Sequence, residues 1–211
     1  MTATLPQNLR TDAQENRDRV LDAARELFAR SGLDVTMRQI ARHAGVGPAT
    51  LYRRFPTKRD LVLEAMRDEL AACRTIVLDA AADPDPWRGF SNALEGLLIL
   101  NAGNQGFTDA FFSAYPDVLD LATHRTDLTR TLSDVARRAM AAGNLRDDVV
   151  IDDLLLVLLA SRGLATLPAT VRTTAARRLA AITLDGFRTT GGARPALPPA
   201  ARLVAVVGKV A

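Results

Sequence analysis

The chain of 211 residues has only one cysteine and two histidines. Because a disulfide needs two thiols, Cys73 alone excludes an internal disulfide framework, and it also excludes a zinc site made of several cysteines. His43 and His124 are too few for a histidine-rich metal centre, and the sequence contains no His-Glu-x-x-His pair. We therefore expect neither a bound metal ion nor an organic cofactor.

Long apolar runs are also missing. The longest, residues 154–160, is far shorter than the roughly 20 residues of a membrane-spanning helix. The first ten residues lack the apolar centre of a secretory signal peptide. With 48% hydrophobic and 24% charged residues, the composition is that of a globular chain, so we expect a soluble cytoplasmic protein without a membrane partner.

Apolar residues recur at helical spacing along the chain, and no segment alternates as a strand does. In residues 11–30, for example, Val20, Ala24 and Phe28 share one face. Longer helices are predicted after Thr57 and over residues 149–167, and Pro and Gly residues separate the segments. The pattern predicts an all-α fold of about nine helices: an N-terminal three-helix domain and a C-terminal helical bundle.

Two short predicted helices near the N-terminus are joined by a glycine turn. Thr36 is a good N-cap for the first, and Pro48 suits the first position of the second, which runs to about Arg54. Gly45 supplies a left-handed turn residue without a side-chain penalty. This arrangement is typical of a helix-turn-helix, whose second helix enters the major groove of DNA.

The distribution of charge supports the same interpretation. The net charge of +3 does not mark a nucleic-acid binder, but residues 35–59 hold six of the 27 lysines and arginines and none of the 24 acidic residues. Such a basic segment can neutralise DNA phosphates. The alternative is a solvated charged surface, which is the weaker interpretation because the basic segment coincides with the turn and with the proline-started helix.

Residues 36–61 resemble the DNA-binding domain of the TetR family of bacterial transcriptional regulators. The positions that carry the resemblance are Thr36, Ile40-Ala41, Ala44-Gly45-Val46, Leu51-Tyr52, Phe55, Lys58 and Leu61. The resemblance covers roughly residues 12–61, and beyond them only the number of helices agrees. Gly47 departs from the family, which usually has a serine or threonine cap there, and Arg53 and Arg54 replace its aromatic residue or histidine.

The resemblance implies a set of DNA-binding residues: Thr36, Arg38, Pro48, Ala49, Thr50, Tyr52, Arg53, Arg54 and Lys58. Within this set it assigns Thr36 and Lys58 to operator phosphates and Arg38 to a base edge. Arg53 and Arg54 could read guanine or only contact phosphates, and the sequence leaves both open.

The resemblance also implies that the later helices sense a ligand and pair two subunits. Residues 154–160 are apolar all round their helix, which predicts burial on every side and packing against a second subunit, although an ordinary core helix is the alternative. The predicted dimer interface comprises Leu155, Leu158, Leu159, Arg162, Leu179 and Ile182. We expect residues 1–56 to form an arm and the DNA-binding domain, residues 57–190 the ligand-binding and dimerisation domain, and residues 191–211 a Pro- and Gly-rich tail.

An effector pocket is expected between the fifth and eighth helices. Its candidate residues are apolar or aromatic with one histidine: Trp87, Phe90, Leu94, Leu98, Phe107, Phe111, Phe112, Leu121, His124 and Leu128. An aromatic stripe is more often plain core, which is the alternative for each of them. Few charged residues fall on the predicted inner faces, which favours a small, largely apolar effector.

The sequence thus predicts a homodimeric transcriptional regulator, a repressor by the common outcome in the resembled family, that an effector releases from a pseudo-palindromic operator. The alternatives are a small α-helical enzyme and an architectural DNA binder without an effector. We expect no enzyme, because the sequence has neither a Gly-x-Ser-x-Gly motif nor a glycine-rich phosphate loop. The paired carboxylates Asp147-Asp148 and Asp152-Asp153 suit the start of a helix, where negative charge is favourable.

Overall fold

The structure is a computed structural model that describes residues 5–112, 119–192 and 194–203, except for the side chains of residues 5–13, 110–112, 119–122 and 124. Ten α-helices lie in this part of the chain. The first four are α1 (Leu5–Ser31), α2 (Met37–His43), α3 (Pro48–Arg54) and α4 (Lys58–Ala65). The others are α5 (Arg67–Ala82), α6 (Pro86–Gly103), α7 (Gln105–Phe112), α8 (Leu119–Ala141), α9 (Ile151–Ala160) and α10 (Ala169–Phe187).

Two 3-10 helices complete the helical structure, Gly32–Asp34 after α1 and Ser161–Thr166 after α9. The described residues form one isolated bridge, between Leu145 and Arg188, and no strand. The predicted all-α class is therefore confirmed. Among the described residues, no helix has the length and apolar character needed to cross a membrane.

Two of the short N-terminal helices begin at threonine caps. The hydroxyl oxygens of Thr36 and Thr57 accept hydrogen bonds from the backbone N–H groups of Gln39 and Asp60, and the side chains of Gln39 and Asp60 accept from the threonine N–H groups in return. Each such reciprocal cap stabilises its helix by about 1 kcal/mol. Local sequence therefore determines where α2 and α4 begin.

The prediction of one long helix after Thr57 is wrong, because the chain forms two helices there, α4 and α5, which are separated at Met66. Met66 has φ −100° and ψ 11°, and its side chain is buried. Arg25 of α1 donates from Nε to the Ala65 carbonyl oxygen over 3.3 Å and lies 3.4 Å from the Asp68 carboxylate. These contacts tie the break between α4 and α5 to the first helix.

The helix predicted over residues 149–167 also ends early. After Ala160 the chain continues as the Ser161–Thr166 3-10 helix. The Leu158 carbonyl oxygen accepts hydrogen bonds from the Ser161 hydroxyl at 2.7 Å and from the buried Asn101 side-chain amide at 3.3 Å. These two side chains supply partners for a carbonyl at the end of α9, next to α6.

α6 occupies the centre of the C-terminal helices and packs against α5, α8 and α10. Its residues Phe90, Leu94 and Leu98 are fully buried. Phe28 of α1 and Leu51 of α3 are equally buried, and all five belong to one continuous hydrophobic cluster. The N-terminal helices are therefore joined to the C-terminal ones through a shared core.

Residues 194–203 lie against the loop between α8 and α9. Asp148 accepts hydrogen bonds from the Arg146 guanidinium and from the Leu197 backbone N–H, both within 2.8 Å. Arg146 also donates to the Pro195 carbonyl oxygen at 2.9 Å. These partners hold the pKa of Asp148 at about 2, below its usual range, chiefly because Arg146 stabilises the carboxylate.

Candidate nucleic-acid interface

α2 and α3 form the helix-turn-helix that the sequence predicts. Gly45 adopts φ +65°, and the Val46 N–H donates to the Ala41 carbonyl oxygen at 3.0 Å, which closes the turn. Gly47 is extended and offers no side-chain cap, but its carbonyl oxygen accepts the Leu51 N–H at 3.1 Å. Backbone hydrogen bonds and the fixed φ of the following proline therefore start α3 without a serine or threonine.

α3 has one buried and one exposed face. Leu51 is fully buried and fixes the helix against its neighbours, whereas the Tyr52 side chain is 46% exposed. Pro48 and Ala49 are exposed and Thr50 is half-buried. The outer face thus presents the residues that the sequence assigned to the groove, on a helix free to enter a major groove about 12 Å wide.

Five arginines of this region have no acidic partner in the described part of the chain. The five are Arg38, Arg42, Arg53, Arg54 and Arg59. Within the described part of the chain none of them forms an ion pair, whereas Arg17, Arg88 and Arg146 each lie 2.7 Å from a carboxylate. Uncompensated cations repel one another, so they contribute little to folding but attract phosphates. We call these five residues with the outer face of α3 the basic face.

Thr36 and Lys58, which the resemblance assigns to phosphates, both have partners inside the chain. The Thr36 hydroxyl lies in the cap with Gln39. The Lys58 ammonium donates to the Leu33 carbonyl oxygen, and burial lowers its pKa although the Asp34 carboxylate opposes that shift. An ammonium has three N–H donors, so this bond leaves two for a phosphate.

His43 at the end of α2 contacts a carboxylate of α1. Its Nε2 atom lies 2.9 Å from the Glu26 carboxylate. Hydrogen bonds from His43 and, to a smaller extent, from Arg30 hold the pKa of Glu26 below its usual value. The histidine therefore helps to fix α2 on α1.

The structure separates the predicted effector residues into two groups. Phe90, Leu94 and Leu98 are fully buried core residues of α6. The Trp87 ring stacks on Phe90 with 5.9 Å between centroids, and the Arg188 guanidinium lies 5.3 Å from the Trp87 centroid. This group packs the α6–α10 contact.

The second group, Phe107 and Leu128, lines an apolar cavity of about 30 Å³. The sequence did not assign the other described residues of its wall, among them Cys73, Val77, Leu97, Asn101, Thr129 and Leu132. Asn101 could have been found as the single polar residue within an apolar segment of α6. Burial raises the pKa of the Cys73 thiol to about 12, so this cysteine is unreactive. The predictions for Phe111, Phe112, Leu121 and His124 fall on side chains outside the described ones.

Two residues of the predicted dimer interface face the interior of their own chain. Leu155 and Leu158 are only 3% and 6% exposed, and both line the cavity beside α6. In the single chain these two side chains leave little surface for a second subunit, and their contact with one stays a prediction, as does the burial of the other side of α9. One side of the apolar helix covers α6, and the opposite side is open.

The remaining predicted interface residues lie at or near the surface. Leu159 and Ile182 are exposed, Leu179 is half-buried, and Arg162 forms an ion pair with Asp109 at 2.6 Å. Two further apolar residues of the segments expected to pair, Leu156 on α9 and Val171 on α10, are also exposed.

Comparison with known proteins identifies both halves of the chain. Residues 20–65 match the sequence model of the bacterial regulatory proteins of the tetR family, and residues 85–189 match the model of the transcriptional regulator SbtR-like C-terminal domain. An HTH-type transcriptional regulator of Staphylococcus aureus is 40% identical over 63 residues, which are 29% of this chain and 34% of that protein. The chain thus spans about a third of the length of the curated relatives it matches.

Solved structures resemble a larger share of the chain. A TetR transcriptional regulator from Streptomyces coelicolor is 30% identical, with a TM-score of 0.51 over 83% of this chain and 99% of that one. The ketosteroid regulator KstR2 of Mycobacterium tuberculosis is 21% identical (TM-score 0.63, 82% and 95% covered), and FadR of Bacillus subtilis, solved with stearoyl-CoA, is 13% identical (TM-score 0.55, 81% and 99%). The last two show the fold alone. The chain belongs to the TetR family of bacterial transcriptional regulators, which bind DNA through a helix-turn-helix.

Proposed function

We propose that the protein represses transcription as a homodimer on a pseudo-palindromic operator and leaves the DNA when a small, largely apolar effector binds. The basic face carries this proposal. It combines an exposed recognition helix with five arginines that have no acidic partner in the described part of the chain. No packing requirement explains that combination, whereas a DNA backbone would compensate every one of these charges.

The proposed DNA contacts divide into phosphate and base contacts. Thr36 and Lys58 lie at the N-termini of α2 and α4, where phosphates bind favourably, and Arg38 is exposed on the first turn of α2. Ala49 and Thr50 offer methyl groups to thymine. The proposed set is Thr36, Arg38, Pro48, Ala49, Thr50, Tyr52, Arg53, Arg54 and Lys58.

The proposed dimer forms through the open sides of the last two helices. Leu156 and Leu159 on α9 and Val171 and Ile182 on α10 are apolar and between 37% and 61% exposed. Exposed apolar side chains gathered on the last two helices are typical of a surface that another protein covers. A two-fold axis there would place two copies of α3 about 34 Å apart, one turn of DNA.

The proposed effector enters the apolar cavity between α5, α6 and α8. The described side chains enclose about 30 Å³, whereas ligand pockets measure about 300–1,000 Å³, so binding must displace side chains of the wall. FadR, a protein of the same fold, was solved with stearoyl-CoA, whose acyl chain is apolar, and this supports a ligand with an apolar part. A ligand that binds only the state with the enlarged cavity shifts the protein towards that state. In the proposal this state binds the operator more weakly, so the ligand lowers operator affinity.

The proposed domains have the boundaries that the sequence predicts. Residues 1–56 would bind DNA, residues 57–190 would bind the effector and the second subunit, and residues 191–211 would form a tail. We place the protein in the cytoplasm, where its operator is, and assign it no catalytic activity.

Selection of bound duplexes from a random DNA pool, at two salt concentrations, tests this function. We expect a palindromic consensus whose half-sites lie about 10 base pairs apart, and weaker binding at the higher salt concentration. Tyr52→Ala should reduce enrichment while the wild-type sedimentation coefficient is kept. Failure of the wild-type protein to enrich any duplex would refute the proposal.

A further inference from the structure

The Gly32–Asp34 3-10 helix is held from two sides through the backbone of Leu33. The Leu33 carbonyl oxygen accepts a hydrogen bond from the Lys58 ammonium at the start of α4. The Leu33 N–H donates to the Asp109 carboxylate of α7 over 3.4 Å. One residue thus connects a proposed phosphate ligand with a helix of the C-terminal part.

The Asp109 carboxylate has a second partner on the opposite side. Its Oδ1 atom lies 2.6 Å from Nε of Arg162, in the 3-10 helix that follows α9. The Asp109 side chain is 13% exposed and the Arg162 side chain 49%. Because water is largely excluded from the carboxylate, its attraction to the guanidinium exceeds that of a fully exposed pair, and loss of the guanidinium leaves a poorly solvated charge.

The backbone of the 3-10 helix is shaped to admit this carboxylate. Gly32 adopts φ +66°, and a Cβ atom at that position would collide with the Asp109 carboxylate. A side chain at residue 32 would therefore be strained by the backbone and would also displace Asp109. The glycine provides both the turn and the space for the approach.

We propose that Asp109 is a positioning residue for operator binding, which transmits the position of the α9 end to the Lys58 ammonium through the Leu33 peptide groups. The inference rests on the proposed function, in which Lys58 binds a DNA phosphate. A shift of Arg162 moves or releases the carboxylate, the 3-10 helix follows, and the carbonyl that orients the ammonium is displaced.

Arg162→Gln is the central test because Arg162 pairs with the Asp109 carboxylate, which in turn accepts the Leu33 N–H. Amide hydrogen exchange of Leu33, measured by NMR, should accelerate by roughly tenfold in R162Q and in Asp109→Asn, since each removes a charge-assisted contact from the chain. The matched controls are Asp127→Asn and Arg130→Gln, which break a 3.0 Å pair exposed on α8. They should leave the exchange of Leu33 unchanged.

Operator binding supplies the second measurement, with the duplex enriched from the random pool and at protein concentrations where sedimentation shows the same assembly for all variants. R162Q should weaken binding by roughly fivefold, but not in a Lys58→Gln background, because residues that act through one another are not additive. If Asp109 has only a structural role, its replacement should lower the unfolding midpoint. The effects of R162Q and K58Q on operator affinity should then be additive.

The outcomes separate the two proposals. Two results would overturn the role of Asp109 and leave the proposed function intact. One is a wild-type exchange rate of the Leu33 amide in R162Q. The other is full additivity of the affinity losses that R162Q and K58Q cause on an enriched duplex. Failure to enrich any duplex removes the proposed function together with this role. If D109N does not fold, R162Q, whose side chain is half exposed, still decides the question.

Discussion

Gly106 of α7 lies so close to Phe28 of α1 that a Cβ atom at position 106 would be 2.8 Å from the Phe28 carbonyl oxygen. Real Cβ atoms do not approach backbone atoms this closely. The two helices can touch only because residue 106 has no side chain, and the contact holds the first helix against the C-terminal helices. The glycine is thus required by packing, since its φ is not positive.

We expect Gly106→Ala to destabilise the protein by about 1–3 kcal/mol, the usual cost of overpacking a core, because the Phe28 backbone cannot move aside as a flexible side chain could. The free energy of unfolding in urea measures this effect. Gly103→Ala is the control, since nothing lies within 4 Å of a Cβ atom there. Equal losses of unfolding free energy in both variants would show that the close approach to Phe28 does not cause the destabilisation.

The helix-turn-helix was predictable because its signals are local. The cap at Thr36, the left-handed turn at Gly45 and the proline at the first position of α3 each depend on neighbours within a few residues. The resemblance also assigned Tyr52 to DNA, and its side chain is exposed, whereas the neighbouring Leu51 is buried.

Features set by distant contacts were not predictable. No proline or glycine marks the break at Met66, where Arg25 of the distant helix α1 bonds the Ala65 carbonyl oxygen. The apolar segment of α9 gives no sign of which side faces its own chain, because every residue is apolar. The position of α6 decides that Leu155 is buried and Leu156 is 47% exposed.

Arg54→Gln should weaken binding to the selected duplex and reduce the slope of log affinity against log salt by about 0.9, the value for one phosphate contact. Arg54 lies on the last turn of α3, whereas base edges are contacted from the first residues of a recognition helix. Fluorescence anisotropy across a salt series gives the slope. Arg137→Gln, on α8, should change nothing, and altered base preference in R54Q would contradict a phosphate role.

Ile182→Asp should prevent dimerisation, because a charge would be buried in the proposed apolar interface, where desolvation is costly. Ile182 is 61% exposed in the single chain, so the variant should still fold. Sedimentation velocity should show a particle of 22.7 kDa. Leu78→Asp, which changes a 49% exposed apolar residue on α5, should sediment as the wild type does. A dimer of wild-type size in I182D would show that the interface lies elsewhere.

Acid should release residues 194–203 from the loop between α8 and α9. The pKa of Asp148 is lowered from 3.8 to about 2 in the folded chain, chiefly by Arg146 and then by the Leu197 N–H. A carboxyl whose pKa is depressed by folding stabilises the fold above its ordinary pKa, so this contribution is complete above about pH 4 and disappears as the pH falls through about 2.

NMR titration of the Asp148 carboxyl carbon should therefore give a midpoint near 2, with the Leu197 amide resonance shifting in the same pH range. Arg146→Gln should raise the midpoint towards 3.8 and weaken the protection of the Leu197 amide at neutral pH, because the guanidinium no longer favours the charged carboxylate. Arg137→Gln serves as the control, since its guanidinium pairs with Asp134 on α8. An unchanged midpoint in R146Q would show that another group keeps this carboxylate ionised.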